Sequence, residues 1–138
     1  MAINFFNEDI DFPKPFEKIA TKNWIKKVVT LHSMRVGDIN YIFTSDQYLL
    51  AINKEHLQHD YYTDVITFDY SETNTIAGDI YISLDTVATN ADEFKQTFSD
   101  ELNRVIIHGV LHLIGFKDKS KTDSLEMRKQ ENKALELR

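Results

Sequence analysis

The sequence predicts a single α+β domain over residues 1–138, in which a small mixed β-sheet packs against helices. The chain has 138 residues, 42% of them hydrophobic, which suits one domain with its own core. Short alternating stretches that are typical of strands occur between segments with helical spacing. The chain contains no repeat, low-complexity segment or linker, and only four glycines and two prolines interrupt it.

The first half of the chain is predicted to alternate between strands and helices. Pro15 suits the first turn of a helix, and the apolar residues that follow it have helical spacing. Ser45 is a favourable N-cap for a second helix. These patterns predict a strand over residues 2–6, a helix over 16–33, a strand over 38–44 and a helix from Ser45 to about His56.

The second half is predicted to contain a hairpin and then three helices. Two alternating stretches flank the polar turn SETNT and are expected to pair. Asp85 and Ser99 are candidate N-caps. The patterns predict strands over 64–70 and 76–83, followed by helices over 86–97, from Ser99 to Gly115, and over 122–137. The predicted order is therefore β-α-β-α-β-β-α-α-α.

The helix before Gly115 carries the pattern with the clearest chemical meaning. It is apolar on almost all sides over residues 105–114 and is therefore expected to be buried. His108 and His112 lie four residues apart, so both imidazoles project from one face. Gly115 allows the chain to turn back, and Asp118 follows as a candidate third ligand.

His108, His112 and Asp118 together predict a metal site on this helix. Two polar rings in an apolar environment need partners, and one divalent cation satisfies both. Three protein ligands leave one tetrahedral position for water, which is typical of catalytic zinc. The chain has no cysteine, so a thiolate site is excluded.

Composition and charge limit the cellular location and the binding partners that we expect. No apolar stretch is long enough to span a bilayer, and the first residues lack the pattern of a signal peptide, so a cytoplasmic protein is expected. The net charge of −6 argues against strong nonspecific binding to nucleic acid. A run of lysines near helical spacing is interpreted as a solvated helix face: Lys14, Lys18, Lys22, Lys26 and Lys27.

The other three histidines are weaker candidates for a functional role. His32 ends a predicted helix, where a cation interacts favourably with the helix dipole. His56 and His59 fall in a polar region between a helix and a loop. His59 is close enough to the predicted hairpin to reach a substrate, but an exposed loop residue is the preferred interpretation.

The ligand spacing is shared with the metzincin proteases. Those enzymes have a glutamate directly after the first histidine as general base, whereas this chain has Gly109 there. A metalloprotease-like hydrolase is therefore an alternative that lacks its usual base. Two histidines and one carboxylate also occur in non-haem iron oxygenases, but nothing in the chain indicates a cosubstrate site.

Four stretches of the chain resemble the YbeY family. The segment HGVLHLIGFKD is similar to that family's HGxLHLxGYDH motif, and residues 53–68 are similar to its NxxYRxxDxPTDVLSF segment. Residues 78–83 (GDIYIS) match its GDIxIS strand, and Met127 falls where the family has a methionine after the metal loop. The resemblance covers most of residues 38–131, and its HGxLHLxG core is specific.

This resemblance implies a single-strand-specific, metal-dependent endoribonuclease. The family acts in ribosomal RNA maturation, notably at the 3′ end of 16S rRNA, and in ribosome quality control. The resemblance implies a zinc-type site on the helix ending near Gly115, with single-stranded RNA and the ribosome or its small-subunit proteins as partners. A ribosome-associated factor with a structural metal is the non-catalytic alternative. The oligomeric state is left open.

Two residues depart from the family pattern. The family's third metal-binding histidine falls at Asp118, where a carboxylate still binds zinc but makes Mn²⁺ a better competitor. The family's motif arginine falls at Leu57, which cannot hold a phosphate, so another cation is expected to do so. The nearest candidates in sequence are Lys117, Lys119 and Lys121, for which an ordinary exposed charged loop is an equally favoured interpretation.

No general base is assigned from the sequence. Asp79, on the GDIYIS strand, is a candidate by its position in the family pattern alone. A structural role, capping a strand or pairing with a lysine, is the preferred interpretation of this carboxylate. The catalytic residues are therefore unknown, apart from the three residues expected to hold the metal and its water.

Overall fold

A four-stranded mixed sheet runs through the part of the chain that the computed structural model describes, residues 2–58 and 63–138. The strands are β1 (Ile3–Asn7), β2 (Arg35–Thr44), β3 (Val65–Asp69) and β4 (Thr75–Ser83). Their order across the sheet is β1-β2-β4-β3. The pairs β1–β2 and β2–β4 are parallel, while β3 and β4 are antiparallel. The predicted hairpin is therefore confirmed.

Helices connect and cover these strands. Within the described ranges they are α1 (Lys18–Leu31), α2 (Asp46–Leu57), α3 (Leu84–Glu93), α4 (Phe98–Ile114) and α5 (Lys121–Leu135). The elements follow the predicted order, and the α+β fold class is confirmed. No helix in these ranges is both long and apolar enough to cross a bilayer.

Helix α1 begins later than predicted. We expected a helix from residue 16 with Pro15 in its first turn, but the first helical residue is Lys18. The ring of Phe16 instead packs edge-on against Phe5 and Phe43, with centroid distances of 5.0 and 5.4 Å. This packing against aromatic rings of the sheet keeps Phe16 outside the helix.

The predicted cap of α3 was wrong because Asp85 has another partner. The hydroxyl of Ser83 accepts a hydrogen bond from the amide of Thr86 at 3.2 Å and caps the helix. The Asp85 carboxylate accepts from the amide of Asp46, at the start of α2, at 3.0 Å. The two helix starts therefore lie side by side and share their capping groups.

The boundary between α3 and α4 also differs from the prediction. Thr97, rather than Ser99, caps α4, because its hydroxyl accepts from the amide of Asp100 at 3.0 Å. Helix α3 ends at Glu93 instead of residue 97. Lys95 has a φ of 56°, a left-handed conformation that a helix cannot continue through.

Helix α4 packs one face against the sheet. The hydroxyl of Tyr41 on β2 donates to the carbonyl of Ile106 on α4 at 2.9 Å. The indole of Trp24 on α1 donates to the carbonyl of Ala134 on α5 at 2.8 Å, which joins these two helices. The sheet residues in this core are fully buried: Ile39, Tyr41, Phe43, Ile76, Ile80 and Ile82.

The lysine run lies at the surface. Lys14, Lys18, Lys26 and Lys27 are exposed, and Lys22 is half-buried. The ammonium group of Lys18 lies 4.3 Å from the ring centroid of Phe12. Lys14 precedes α1, so the predicted helical stripe does not include it. The exposure of Lys18, Lys26 and Lys27 agrees with the interpretation of a solvated helix face.

Gly109 allows α4 and β4 to approach closely. A Cβ at this position would lie 2.9 Å from both Cδ1 and Cγ2 of Ile80, closer than real Cβ contacts. The residue after the first histidine therefore points at the sheet. A side chain there would enter the core, so packing explains the glycine at the place where a metzincin has its base.

Gly109→Ala should destabilise the protein by about 1 kcal/mol or more, because overpacking against Ile80 outweighs the helix propensity of alanine. Ile80→Val removes the Cδ1 atom and should cost about 1 kcal/mol alone. The double variant should be more stable than the sum of the single effects, as measured by urea unfolding. Strictly additive effects would contradict the close contact of α4 and β4.

Candidate metal centre

Two histidines of α4 and an aspartate of the next loop meet at the end of the helix. The ring centroids of His108 and His112 are 4.6 Å apart. Gly115 ends the helix with a φ of 126°, which glycine adopts readily, and its amide donates to the carbonyl of His112 at 3.0 Å. The chain then returns Asp118, whose Oδ2 lies 3.3 Å from Nε2 of His108 and 3.5 Å from Nε2 of His112.

This group of three side chains could hold a metal ion. One ligand atom from each lies within 4.8 Å of the others. Nδ1 of His108 is 2.7 Å from a carboxylate oxygen of Glu131, so Nδ1 is the donor. In the neutral ring, Nε2 then presents a lone pair to the Asp118 carboxylate. A nitrogen lone pair and a carboxylate repel each other unless a proton or a cation lies between them. The ligand atoms of these side chains therefore suit a cation.

Glu131 on α5 holds the ring of His108 in place. Glu131 is 4% exposed. Its carboxylate accepts one hydrogen bond from His108 and a second from Nη1 of Arg104 at 2.9 Å. A carboxylate behind a histidine fixes the tautomer and orientation of a metal-binding ring. A capping box between Ser120 and Asp123 fixes the start of α5.

Burial and charge set the protonation of these groups. Burial alone would lower the pKa of His108, but the hydrogen bond and charge of Glu131 raise that pKa above its usual value. Burial would raise the pKa of Glu131, but hydrogen bonds from His108 and Arg104 hold it below its usual value. Burial, then the charge of His108, lowers the pKa of His112. His112 thus favours the neutral form that binds metals.

The three residues lie in an open cleft of about 680 Å³ that is bordered by α4, α5 and β3. Burial raises the pKa of Asp64 and of Glu101, two acidic residues of its lining. Part of the lining is apolar and comes from Leu57 and Phe94, which are 40% and 54% exposed. The cleft therefore offers both charged and apolar contacts beside the three candidate ligands.

Comparison with known proteins identifies the family. The family model described as Endoribonuclease YbeY matches residues 3–137. The chain belongs to the YbeY endoribonuclease family. A protein of that name from Parabacteroides distasonis is 50% identical over 99% of this chain and 96% of its own length. Another from Flavobacterium psychrophilum is 52% identical over 96% of this chain and 94% of its own length.

A solved structure has a similar fold and a related sequence. The solution structure of a Thermotoga maritima protein matches this chain with a TM-score of 0.71 and 31% sequence identity. The match covers 99% of this chain and 88% of that chain. The sequence similarity and the fold therefore extend over nearly the whole chain.

The structure brings together all three residues that the sequence predicted as ligands, although the ion they hold stays a prediction. Leu57, which replaces the family arginine, lines the cleft. Three exposed lysines that are nearest to Asp118 in sequence are not among the described residues that line it, which agrees with the interpretation of an exposed charged loop: Lys117, Lys119 and Lys121. The cations of the lining are Arg104 and Arg128.

Asp79 lies on the opposite face of the sheet from α4. Its neighbours Gly78 and Ile80 face α4, and successive strand side chains point to opposite faces. The Asp79 carboxylate accepts a hydrogen bond from Nδ2 of Asn40 at 3.0 Å. The preferred structural interpretation of Asp79 therefore agrees with its position, although its partner is an asparagine rather than a lysine.

The remaining histidines do not belong to the described lining of the cleft. His32 follows α1 as its C-cap, and its ring lies 5.5 Å from that of Phe116. The exposed ring of His56 lies 6.0 Å from that of Phe68. His59 is outside the described residues, so its prediction is untested.

Sequence reasoning missed the residues that surround the ligands. Arg104 and Glu101 precede His108 by four and seven residues, so they lie on the same helix face, which the spacing could have revealed. Glu131 follows the buried Met127 by four residues and shares its helix face. No sequence signal linked Glu131 to a histidine 23 residues earlier.

Glu131→Ala should lower the free energy of unfolding of the metal-free protein by about 3 kcal/mol, because it leaves Arg104 and His108 without their buried partner. Urea unfolding measures this loss. Glu126→Ala is the matched control, since Glu126 is exposed on the same helix and pairs only with Gln130 among the described residues. Its effect should stay within about 0.5 kcal/mol. Equal losses in both variants would contradict the bridging role of Glu131.

Proposed function

We propose that this protein is a metal-dependent endoribonuclease that hydrolyses phosphodiester bonds of single-stranded RNA. The observation that carries the proposal is the convergence of His108, His112 and Asp118 in an open cleft. Its relatives bear the name Endoribonuclease YbeY, and the match includes the whole segment that carries these residues. Residues 1–138 would then be one hydrolase domain.

Zinc is the proposed ion, held by His108, His112 and Asp118. Two imidazoles and one carboxylate are a ligand set that zinc accepts. The carboxylate in place of a third histidine makes Mn²⁺ a stronger competitor than in an all-histidine site. When bound, such an ion supplies a Lewis acid for the phosphoryl oxygen and lowers the pKa of a coordinated water.

The chain's own residues orient this centre. Glu131 holds His108 with Nε2 directed at the site, and the turn at Gly115 places Asp118 opposite both rings. Gly109 contributes no group, since it faces Ile80. The general base is therefore not on the helix position that a metzincin uses, and a metalloprotease is the weaker alternative.

The proposed process is ribosomal RNA maturation, including the 3′ end of 16S rRNA, and ribosome quality control. The resemblance of the motifs and the family match support it. The ribosome or its small-subunit proteins would then be partners, and the cytoplasm the place of action. The open cleft beside the three ligands favours an enzyme over a factor with a closed, structural metal site.

His112→Ala should abolish both metal binding and RNA cleavage, because only two ligands remain. Metal content measured after purification and cleavage of a labelled single-stranded RNA check this. His56→Ala is the matched control, since His56 is exposed and outside the cleft lining, and it should retain both properties. Undiminished cleavage by metal-stripped or His112→Ala protein would refute the proposed function.

Two variants of the third ligand test the role of its negative charge. Asp118→Asn removes the charge, and Asp118→His replaces the carboxylate with another metal-binding group. Asp118→Asn should weaken zinc binding at least about tenfold, because a neutral amide replaces the carboxylate. Asp118→His should retain zinc and bind Mn²⁺ less well relative to zinc, since imidazole is a softer ligand. Competition titrations with a chromogenic chelator measure both. An unchanged zinc affinity in Asp118→Asn would remove Asp118 from the ligand set.

A further inference from the structure

The cleft has an excess of acidic groups, which disfavours a polyanionic substrate. The described residues of its lining contain five carboxylates against two guanidinium groups, Arg104 and Arg128. The carboxylates are Asp64, Asp69, Glu101, Asp118 and Glu131. A divalent ion offsets only part of this charge. An RNA phosphate in the cleft therefore needs a cation from the protein.

Arg104 is not free to supply that cation. Its Nη1 lies 2.9 Å from Oε1 of Glu131, and its side chain is 22% exposed. The Glu131 side chain is 6% exposed, so this carboxylate depends on its protein partners. Moving Arg104 to a substrate would leave a buried carboxylate with one donor fewer, which is costly. Arg104 therefore supports Glu131 and, through it, His108.

Arg128 is held much less firmly. It lies three residues before Glu131 on α5, so both project from one face of the helix. Its side chain is 58% exposed, and its Nε is 3.9 Å from Oε1 of Glu131, an oxygen that Arg104 already occupies. Among the described residues, this long contact is its one ion pair. Its remaining N–H donors are available to an anion that enters the cleft.

We propose that Arg128 forms a phosphate-binding subsite that holds a phosphate group of single-stranded RNA beside the candidate metal centre. The identity of this ligand rests on the proposed function. A planar guanidinium binds two phosphate oxygens at once, and a long, exposed ion pair is easily exchanged. Arg128 on α5 would then supply the positive charge that Leu57 cannot supply.

Arg128→Ala, compared with Lys129→Ala, tests the subsite. Both changes remove one positive charge from an exposed residue of α5, but Lys129 does not belong to the described lining of the cleft. Arg128→Ala should raise KM for a single-stranded oligoribonucleotide about tenfold with little change in kcat. Arg128→Lys should recover part of the loss, because it keeps the charge but not the paired donors. Lys129→Ala should leave KM unchanged.

RNA binding in EDTA, followed by fluorescence anisotropy, separates the subsite from the proposed function because it requires no cleavage. For Arg128→Ala, the slope of log Kd against log salt concentration should fall by about 0.7, the value for one phosphate contact on a single strand. The same slope in wild type, Arg128→Ala and Lys129→Ala would overturn the subsite even if the wild type cleaves RNA. A wild type that shows the Arg128-dependent slope but cleaves no RNA would overturn the proposed function and retain the subsite.

A structural role for Arg128 through Glu131 gives a different result. Arg128→Ala would then lower the melting temperature and the metal affinity, while the salt slope would stay that of the wild type. The phosphate subsite instead requires unchanged melting temperature and metal affinity together with the reduced slope. Circular dichroism and metal titration of the same variants distinguish the two, and the structural pattern would overturn the subsite.

Discussion

The buried carboxylate of Glu131 is the contact on which the site depends. It joins α5 to α4 by accepting from Arg104 and from His108, and it thereby fixes which nitrogen of His108 faces Asp118. A single carboxylate in this position has two effects. It compensates a half-buried arginine, and it leaves Nε2 of the histidine with a lone pair directed at the centre. The last helix of the chain is therefore part of the site, although none of the candidate ligands lies on it.

One face of α4 packs in the core, and the opposite face borders the cleft. Gly109 faces Ile80 of the sheet at a distance that leaves no room for a Cβ, and the carbonyl of Ile106 accepts from the hydroxyl of Tyr41 on β2. The residues one and two turns before His108 face the cleft. Because the core face leaves no room for a side chain at Gly109, chemistry on this helix is restricted to the other face. Packing against Ile80 therefore explains why no glutamate follows the first histidine.

The sequence was sufficient to predict those site residues that lie close together along the chain. The pair His108 and His112 follows from one helix turn, and the return of Asp118 follows from a glycine that ends the helix. The predicted N-cap of α3 was wrong because two acceptors, Ser83 and Asp85, lie near the start of this helix. Which of them caps α3 depends on the neighbouring α2, whose first amide donates to Asp85. Glu131 could not be foreseen, since its contact joins two helices whose relative position depends on the whole core. Strand alternation alone places Asp79 on the other face of the sheet, which supports the structural interpretation of this carboxylate.

The acidic lining has a consequence for the kind of nucleic acid that suits this cleft. A duplex presents two rows of phosphates, about one charge per 1.7 Å of its axis, and each row would face the same excess of carboxylates. Under the proposal, a single strand would place one phosphate near the guanidinium of Arg128 and the candidate metal centre while its neighbours turn away. Under the proposed function, repulsion from Asp64, Asp69 and Glu101 would act against the second strand of a duplex. With a net charge of −6 the protein gains little from distant attraction, so under the proposed function its affinity for RNA would depend on local contacts in the cleft.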